Sequence, residues 1–599
     1  MAWYDEAVFY HIYPLGLAGA PKQNDYGEPV HRLNTLLPWV DHIKEIGGSA
    51  LYIGPLFESV GHGYETTDYK KLDSRLGTNE DLTAFVAYCH EHGIKVIFDG
   101  VFNHTGRDFF AFKDIQANRE NSQYKDWYCN VNFWGNNEYN DGFSYDNWGG
   151  YNLLVKLNQK NPAVVDYICD VIRFWVSEFD VDGIRLDAAD VLDFDFMKAL
   201  RRTANEVKPD FWLMGEVIHG DYSRWVNGET LHSVTNYTLH KALYSGHNDH
   251  NYFEIAHTVR RLQNMGTLKL YNFVDNHDVE RIYTKLTNKA HFAPVHVLLY
   301  TLPGVPSIYY GSEFGIEGRK EYGSDDSLRP ALNIEDYKDS VKTNPCTALI
   351  AALGKVRQAV PALSYGSYDE LMLTNRQFAY ARDLDGTRVI VSVNNDDAPA
   401  GMHLAAGNCT AYIGALSGEK VSVQDGHINI TQPANSGEIW VPDGTDLDVK
   451  PVKVVTKTES EAKTNTEDKA ASETATDAKG NKEAEPKIES KESKDIVTAT
   501  ESADAKKNTT NTEKNISAAN EVKDSAKDAS AQAAANTPVD PETITVDWSK
   551  SPESMTVPEL QAAILAKLAG NGPVDAQMKK TVTDNIWHDS LVNWLKSFR

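Results

Sequence analysis

Three carboxylates stand near the ends of apolar, strand-like runs in this 599-residue chain. Asp187 lies in "GIRLDAA" (183–189), Glu216 in "WLMGEVI" (212–218), and Asp278 closes "LYNFVDNHD" (270–278). Arg185 precedes Asp187 by two positions. On a strand, residues i and i+2 share a face, so this guanidinium and carboxylate look the same way. Charged residues rarely enter a core unless they are paired or functional. A structural ion pair at a strand end is the plainest reading of Arg185 and Asp187. Their company points to chemistry instead: "KVIFDGVF" (95–102) runs into Asn103 and His104, and His277 stands beside Asp278. An Asp and a Glu flanking one bond, with a cation beside one of them, is the set that glycoside hydrolysis uses. One carboxylate stays ionised to attack an anomeric carbon. The other stays protonated and gives its proton to the leaving oxygen. Arg185 is expected to keep Asp187 ionised.

These side chains converge only if their strands do. Further strand-like runs are "AVFYHIYPL" (7–15), "SALYIGPLF" (49–57), "SVTNY" (233–237) and "PSIYYGSE" (306–313). Amphipathic segments such as "RLNTLLPWVDHIKEIGG" and "PAVVDYICDVIRFWVSEFD" lie between most of the eight. Near-continuous apolar strands alternating with helices predict a parallel sheet covered on both faces. Eight of them predict an α/β fold, a (β/α)8 TIM barrel over residues 1–364, with its site at the C-terminal ends of the strands. No G-x-G-x-x-G follows the first strand, which speaks against a dinucleotide fold. The third-to-fourth-strand gap, about 105–155, is rich in Asn, Tyr, Trp, Phe and Gly. It reads as a loop subdomain, a binding lid with stacking faces for sugar rings or an aromatic core, and both can hold at once.

Residues 365–445 alternate apolar and polar positions around D-G and N-N turns, as in a small antiparallel β-sandwich. Residues 446–540 are Lys, Glu, Ala, Thr, Ser and Asp without the aromatics of the barrel, and are expected to be a disordered charged linker. Helical periodicity returns in 541–599, with capping-box spacing at Thr556 and Glu559, and predicts a small helical module that docks an unknown partner.

The formal net charge of −26 makes nucleic acid a poor partner. The five cysteines are scattered and show no metal or disulfide spacing. No basic-then-apolar leader and no run of membrane length is visible, so a cytoplasmic location without membrane attachment is expected. Asp182, Asp190, Asp193 and Asp195 are expected to be solvated loop or helix-start charges.

In chain order, "DGVFNH" (99–104), "GIRLDAADV" (183–191), "GEVIH" (215–219) and "FVDNHD" (273–278) resemble the motifs of the α-amylase family of retaining glycosidases, glycoside hydrolase family 13. "GYETTDYKKLDSRLGTNEDL" (63–82), "VKLNQKNP" (155–162) and "PGVPSIYYGSEFG" (303–315) extend the resemblance over about residues 5–445. It implies that Asp187 is the nucleophile, Glu216 the general acid/base and Asp278 the third carboxylate, which holds hydroxyls of the sugar being cleaved. It further implies Arg185 beside the nucleophile, His104 and His277 on that same sugar, and Tyr64 stacked on its face. Asp325 and Arg329 match a pair one sugar further along. Asn103 matches a position that binds calcium in some members; no other cofactor is implied. Asp190-Val191 stand where true α-amylases carry a Lys-His pair. With "VKLN", this is similar to the neopullulanase and cyclomaltodextrinase relatives, which act on short maltodextrins or cyclodextrins. The substrate implied is an α-glucan oligosaccharide cleaved at α-1,4 bonds, with α-1,6 bonds as a second option. Transglycosylation or isomerisation is the nearest alternative, because the same covalent intermediate can pass to a sugar hydroxyl. A non-catalytic binding or scaffold barrel is the alternative of another class; such relatives lose catalytic carboxylates, whereas this chain has all three.

Overall fold

The computed structural model describes residues 2–449 and 451, apart from 267–268 and 322–323. Beyond 545 it describes 546–548, 550–552, 555–569, 579, 582 and 595. All eight expected strands form: β1 (Phe9–Ile12), β2 (Ala50–Ile53), β3 (Lys95–Gly100), β4 (Gly183–Leu186), β5 (Trp212–Gly215), β6 (Ser233–Val234), β7 (Tyr271–Phe273) and β8 (Val305–Tyr309). Their order is β6-β5-β4-β3-β2-β1-β8-β7, with every neighbouring pair parallel. A parallel bridge between Thr235 and Tyr271 joins β6 to β7 and closes the ring.

The two-residue period of the strands sorts their side chains. Val96 and Phe98 of β3 and Ile184 and Leu186 of β4 pack outward, among the helices. Ile97 points inward and joins Phe9, Ala50, Tyr52, Trp212, Met214, Tyr271, Phe273 and Val305 in a plug at the barrel centre. Trp212 stacks on Phe9 at 5.0 Å between ring centres. Gly183 leaves the room for this: a Cβ there would lie 2.5 Å from the Trp212 carbonyl and 2.9 Å from Ile97. One layer above the plug, the inward positions are Asp99 and Arg185, which face each other across the β3–β4 register. The barrel is thus filled with apolar side chains below and charged ones at its mouth.

Helices α1 (Leu37–Glu45), α2 (Asn79–Glu91), α3 (Pro162–Phe179), α4 (Phe194–Val207), α5 (Tyr237–Asn248), α6 (Tyr252–Asn264), α7 (Phe292–Thr301) and α8 (Pro345–Ala359) wrap the sheet. Their starts follow capping chemistry. Thr78 accepts from the Asp81 amide before α2, and Asn161 with Pro162 opens α3. Asp193 accepts from the amides of Asp195 and Phe196 at the start of α4, as expected of a helix-start charge. Asp182 differs from expectation: it is buried, at the N-terminal end of β4. Its carboxylate accepts from His90 Nε2 at 2.7 Å, Lys95 Nζ at 2.9 Å, Lys208 Nζ at 2.9 Å and the Val96 amide at 3.0 Å. Burial opposes its charge, and those donors outweigh burial and hold it below the usual carboxylate range. Three cationic or imidazole groups from separate elements converge there, which sequence spacing does not reveal.

The segment after β3 is a folded subdomain. His104–Thr105, Tyr151–Lys156 and Asn147–Trp148 form a small antiparallel sheet. Phe112, Tyr128, Phe143 and Tyr145 are buried as its core, whereas Trp134 is 97% exposed. Phe109 is buried with them, and Phe110, Tyr139 and Tyr151 are exposed like Trp134, so the segment has both a packed core and open rings.

Beyond the barrel, β9 (Ser367–Leu373), β10 (Gln377–Leu384), β11 (Thr387–Asn394), β12 (Ala400–Ala405), β13 (Ala411–Gly414), β14 (Lys420–Ser422), β15 (His427–Gln432) and β16 (Ser436–Pro442) are antiparallel. They form one sheet in the order β9-β10-β11-β16-β13-β14 and a second pair β12-β15, with Ile390, Leu404, Ile428 and Trp440 between them. The other face covers α7, which is buried on all sides. The charged segment expected to be a linker lies outside the described residues from 452 onward. In the C-terminal unit, α9 (Val557–Ala569) is capped as its sequence predicts, with the Thr556 amide donating to Glu559 Oε2 at 2.7 Å. Leu560, Ile564, Val582 and Leu595 form its small core, while Trp587, Trp594 and Phe598 lie outside the described residues.

Candidate active site

The mouth of the barrel is organised around one guanidinium. Arg185 Nη1 lies 2.9 Å from Asp99 Oδ1 and 2.9 Å from Asp187 Oδ1, and Nη2 lies 3.0 Å from Glu216 Oε2. The shared face of positions 185 and 187 is thus realised as a direct ion pair. Ladder bonds continue past the strand ends and fix the next residues. The Asp187 amide donates to Gly100 O at 3.1 Å, and the Glu216 amide to Leu186 O at 2.9 Å. Ala188 then adopts a left-handed turn, φ 46° and ψ 41°, and its amide donates to Glu216 Oε2 at 2.9 Å. A non-glycine residue in that region is strained, and such strain gathers at functional sites. Here it aims an N–H at the second carboxylate.

Asp99 was not singled out from the sequence. It is buried and accepts from Arg185, from Tyr52 Oη at 2.8 Å and from Tyr64 Oη at 3.2 Å. Its lateral partner comes from another strand, so i, i+2 spacing cannot reveal the pair; its place within "DGVFNH" was the available signal. Three carboxylates around one guanidinium repel one another. Burial raises Asp187 well above the usual carboxylate range, Arg185 opposes this, and Glu216 and Asp99 add to the rise. Burial also raises Glu216, against Arg185 and with Asp278 adding. The Arg185 contact exists as expected, but the cation is divided among three anions and burial outweighs it, so Asp187 is raised rather than held ionised as the sequence suggested. Such a cluster retains a proton; burial raises Asp99 as well, against Arg185 and the Tyr52 and Tyr64 hydroxyls.

On the opposite wall, Asp278 is the most open carboxylate of the site, its side chain 35% exposed. Arg329 Nη2 reaches Asp278 Oδ1 at 2.9 Å and Asp325 Oδ2 at 3.0 Å. His277 Nε2 lies 3.1 Å from Asp278 Oδ2. Burial works against the Asp278 charge, but His277, Arg329, Arg185 and Lys320 together hold its carboxyl well below the usual range. Burial pushes His277 down to about 3, with Asp278 opposing and Arg329 adding, so its ring is neutral at neutral pH. Tyr64 lies parallel to the His277 ring at 5.8 Å between centres, and its hydroxyl is 2.5 Å from His277 Nε2. His104 Nε2 meets the Tyr64 carbonyl at 3.1 Å, and burial takes its ring to about 3. Tyr64, His104, Arg185, Asp187, Glu216, His277, Asp278, Asp325 and Arg329 are thus linked through direct contacts. Lys320, also unforeseen, lies 3.3 Å from Asp325 Oδ1 and donates to the Asp278 carbonyl at 3.3 Å. His219 follows Glu216 on the exposed rim.

Asn103 was the one metal candidate. Its Oδ1 is buried without a hydrogen-bond partner, and its Nδ2 lies 3.2 Å from His104 Nδ1. Among the described residues no three His, Cys, Asp or Glu side chains cluster to hold a metal ion. Calcium takes about six to eight oxygens, backbone carbonyls among them, and Asn103 Oδ1 is one buried oxygen open to such a role.

A closed (β/α)8 barrel carrying a carboxylate cluster and, facing it, a wall of Asp278, His277 and Arg329 at the C-terminal ends of its strands is the architecture of a barrel glycosidase. Residues 32–355 match the family model "Alpha amylase, catalytic domain". The chain belongs to the α-amylase family. It is 31% identical over 422 residues to a cyclomaltodextrinase of a Bacillus species, across 66% of this chain and 74% of that protein. It is 29% identical to neopullulanase 2 of Thermoactinomyces vulgaris, across 73% of this chain and 78% of that protein. A solved cyclomaltodextrinase structure superposes with a TM-score of 0.66 at 27% identity, covering 73% of this chain and 78% of that one.

Proposed function

We propose that this protein is a retaining hydrolase of short α-glucans, acting on α-1,4 and also α-1,6 bonds of maltodextrins. The observation that carries the reading is Arg185 touching both Asp187 and Glu216. One guanidinium spanning two carboxyls keeps them close. Direct attack with retention uses a separation of about 5 Å, whereas inversion leaves room for a water between.

Asp187 attacks C1 of the α-glucosyl unit while Glu216 gives its proton to the glycosidic oxygen, and the C1–O bond breaks. A water then gives a proton to Glu216 as its oxygen attacks C1, and the Asp187–C1 bond breaks. In this reading Glu216 carries the proton that the cluster retains, and Asp187, on Nη1 of Arg185, attacks as the carboxylate. Asp278, kept anionic, and neutral His277 and His104 hold hydroxyls of the reacting sugar, and Tyr64 offers its ring to the sugar face. Asp325 and Arg329 hold the next sugar. The relatives' names, cyclomaltodextrinase and neopullulanase, support the substrate class.

The domain reading goes with this function: a catalytic barrel over 1–364, a sandwich over 365–445, a linker over 446–540, and a helical module over 541–599 that docks a partner. No helix among the described residues is long and apolar enough to cross a membrane. The described cysteines are free, which supports a cytoplasmic, reducing location. The test is a product profile of wild type and Glu216→Gln on maltoheptaose, β-cyclodextrin, pullulan, sucrose and trehalose. Short maltodextrins or glucose from wild type alone support the hydrolase. Longer oligomers or rearranged disaccharides would make it a transferase or isomerase, and no conversion would leave a binding barrel.

A further inference from the structure

Arg281 is wholly buried in the turn after β7, outside the carboxylate cluster. Its Nη1 donates to the Tyr310 carbonyl at 2.9 Å and to Ser312 Oγ at 3.0 Å. Its Nη2 donates to the Leu328 carbonyl at 3.1 Å, and its amide to the Gly318 carbonyl at 3.1 Å. The guanidinium lies over the Tyr309 and Tyr310 rings, 4.7 and 5.4 Å from their centres. Ser312 Oγ passes the contact on to Asp275 Oδ2 at 2.8 Å, which also accepts the Ile282 amide at 2.7 Å.

These bonds surround one functional residue. Leu328 and Pro330 flank Arg329. The Leu328 carbonyl accepts from Arg281 and, at 2.9 Å, from Tyr309 Oη, while the Pro330 carbonyl accepts from Tyr310 Oη at 2.9 Å. The backbone on both sides of Arg329 is therefore pinned from beneath. Arg329 is then aimed by its own bonds to the His277 carbonyl at 3.0 Å, to Asp278 and to Asp325. Gly318 keeps the arrangement tight: a Cβ there would meet the Ser327 carbonyl at 2.5 Å and Arg281 Cδ at 3.0 Å. Burying a guanidinium is costly, and an apolar residue would serve a plain core at least as well. A rigid fork that bonds several carbonyls at once is what an arginine adds.

We propose that Arg281 is a positioning residue for the Asp325–Arg329 pair, and through it sets how well the enzyme holds the sugar beyond the one being cleaved. This rests on the reading that the pair binds that sugar. A substrate with a sugar there feels the loss of Arg281 more than one without it.

The experiment compares kcat/KM for maltotriose and for p-nitrophenyl α-glucoside, which carries a single sugar. Wild type, Arg281→Lys, Tyr310→Phe and Asp325→Asn are measured, with a melting curve for each. For Arg281→Lys the maltotriose-to-aryl-glucoside ratio falls about tenfold or more, chiefly through KM, since small misplacement of a binding group has large kinetic effects. Tyr310→Phe, which removes one hydroxyl and preserves the core, shifts the ratio the same way by a few-fold and decides the matter if Arg281→Lys does not fold. An unchanged ratio in both, with or without a lower melting temperature, overturns the proposal and leaves Arg281 a stability brace. If Asp325→Asn lowers the ratio and the other two do not, the positioning role alone fails. If Asp325→Asn leaves it unchanged, the sugar-clamp reading fails and the proposal with it. Wild type without turnover of either substrate contradicts the hydrolase reading itself.

Discussion

Asp187 and Glu216 share a cation but differ in their second partners. Asp187→Asn removes the attacking oxygen while keeping shape and volume. It is expected to lower kcat by about a thousandfold or more, with an unchanged melting temperature, on the scale set by other nucleophile deletions. Near-wild-type turnover would remove Asp187 from the mechanism. Asp99 gives a different kind of prediction, because it holds Arg185 and Tyr64 rather than substrate. Asp99→Asn leaves Arg185 to the other two carboxylates and loosens both Tyr hydroxyls. A fall in kcat of about ten- to a hundredfold is expected, with the acid limb of the pH–rate profile displaced, as for other residues that orient a functional group. A loss of stability with an unmoved profile would make Asp99 structural only. The sequence was informative where chemistry follows a strand's own period, as at Arg185 and Asp187. It was silent where partners meet across strands, as at Asp99 with Arg185 and Asp182 with His90, Lys95 and Lys208.

Among the elements, the barrel strands were legible because most are short apolar runs alternating with amphipathic segments, and four of them lead into polar residues at their C-terminal ends. Ring closure was not, since it depends on the Thr235–Tyr271 bridge between two of the shortest strands. The aromatic segment after β3 was equally open to two readings. Some of its rings are core and others, such as Trp134 and Tyr151, are exposed, and only packing partners separate the two kinds. The β4–β5 contact gives the prediction at this scale. Gly183→Ala places a Cβ 2.5 Å from the Trp212 carbonyl, where backbone and not a flexible side chain must yield. A loss of about 1–3 kcal/mol is expected, as for other overpacked core positions. Urea denaturation measures it, and an unchanged midpoint would show that the two strands separate without cost. Because Arg185 lies two residues on, activity is expected to fall with stability.

Across the whole molecule, buried neutral histidines link folding to pH. Burial takes His104, His247 and His277 to about 3 and His296 to about 4. The unfolded chain binds their protons near pH 6.5 and the folded chain does not, so stability falls as pH drops from about 6.5 toward 3. Each such group costs about 2 kcal/mol at pH 5. The raised carboxyls of Asp99, Asp187 and Glu216 act in the opposite sense, gaining protons on folding. The denaturant midpoint is expected to be lower at pH 5 than at pH 7; equal midpoints would show that the carboxyl cluster offsets the rings. The domain reading is testable at the same scale. The sandwich covers α7, whose residues are buried all round, so a chain ending before 365 exposes that helix and is expected to aggregate. A chain ending near 445 keeps the barrel and its cover, and is expected to retain wild-type turnover of maltotriose. Loss of turnover in that shorter chain would place the C-terminal segment in the site.

The stereochemistry of the first product decides most directly whether Asp187 and Glu216 work as a close nucleophile and acid pair. Proton NMR of maltotriose hydrolysis, read before mutarotation, separates the two anomers. Initial release of the α-anomer is the predicted result. Initial release of the β-anomer would mean single displacement by water, and would contradict a covalent intermediate on Asp187.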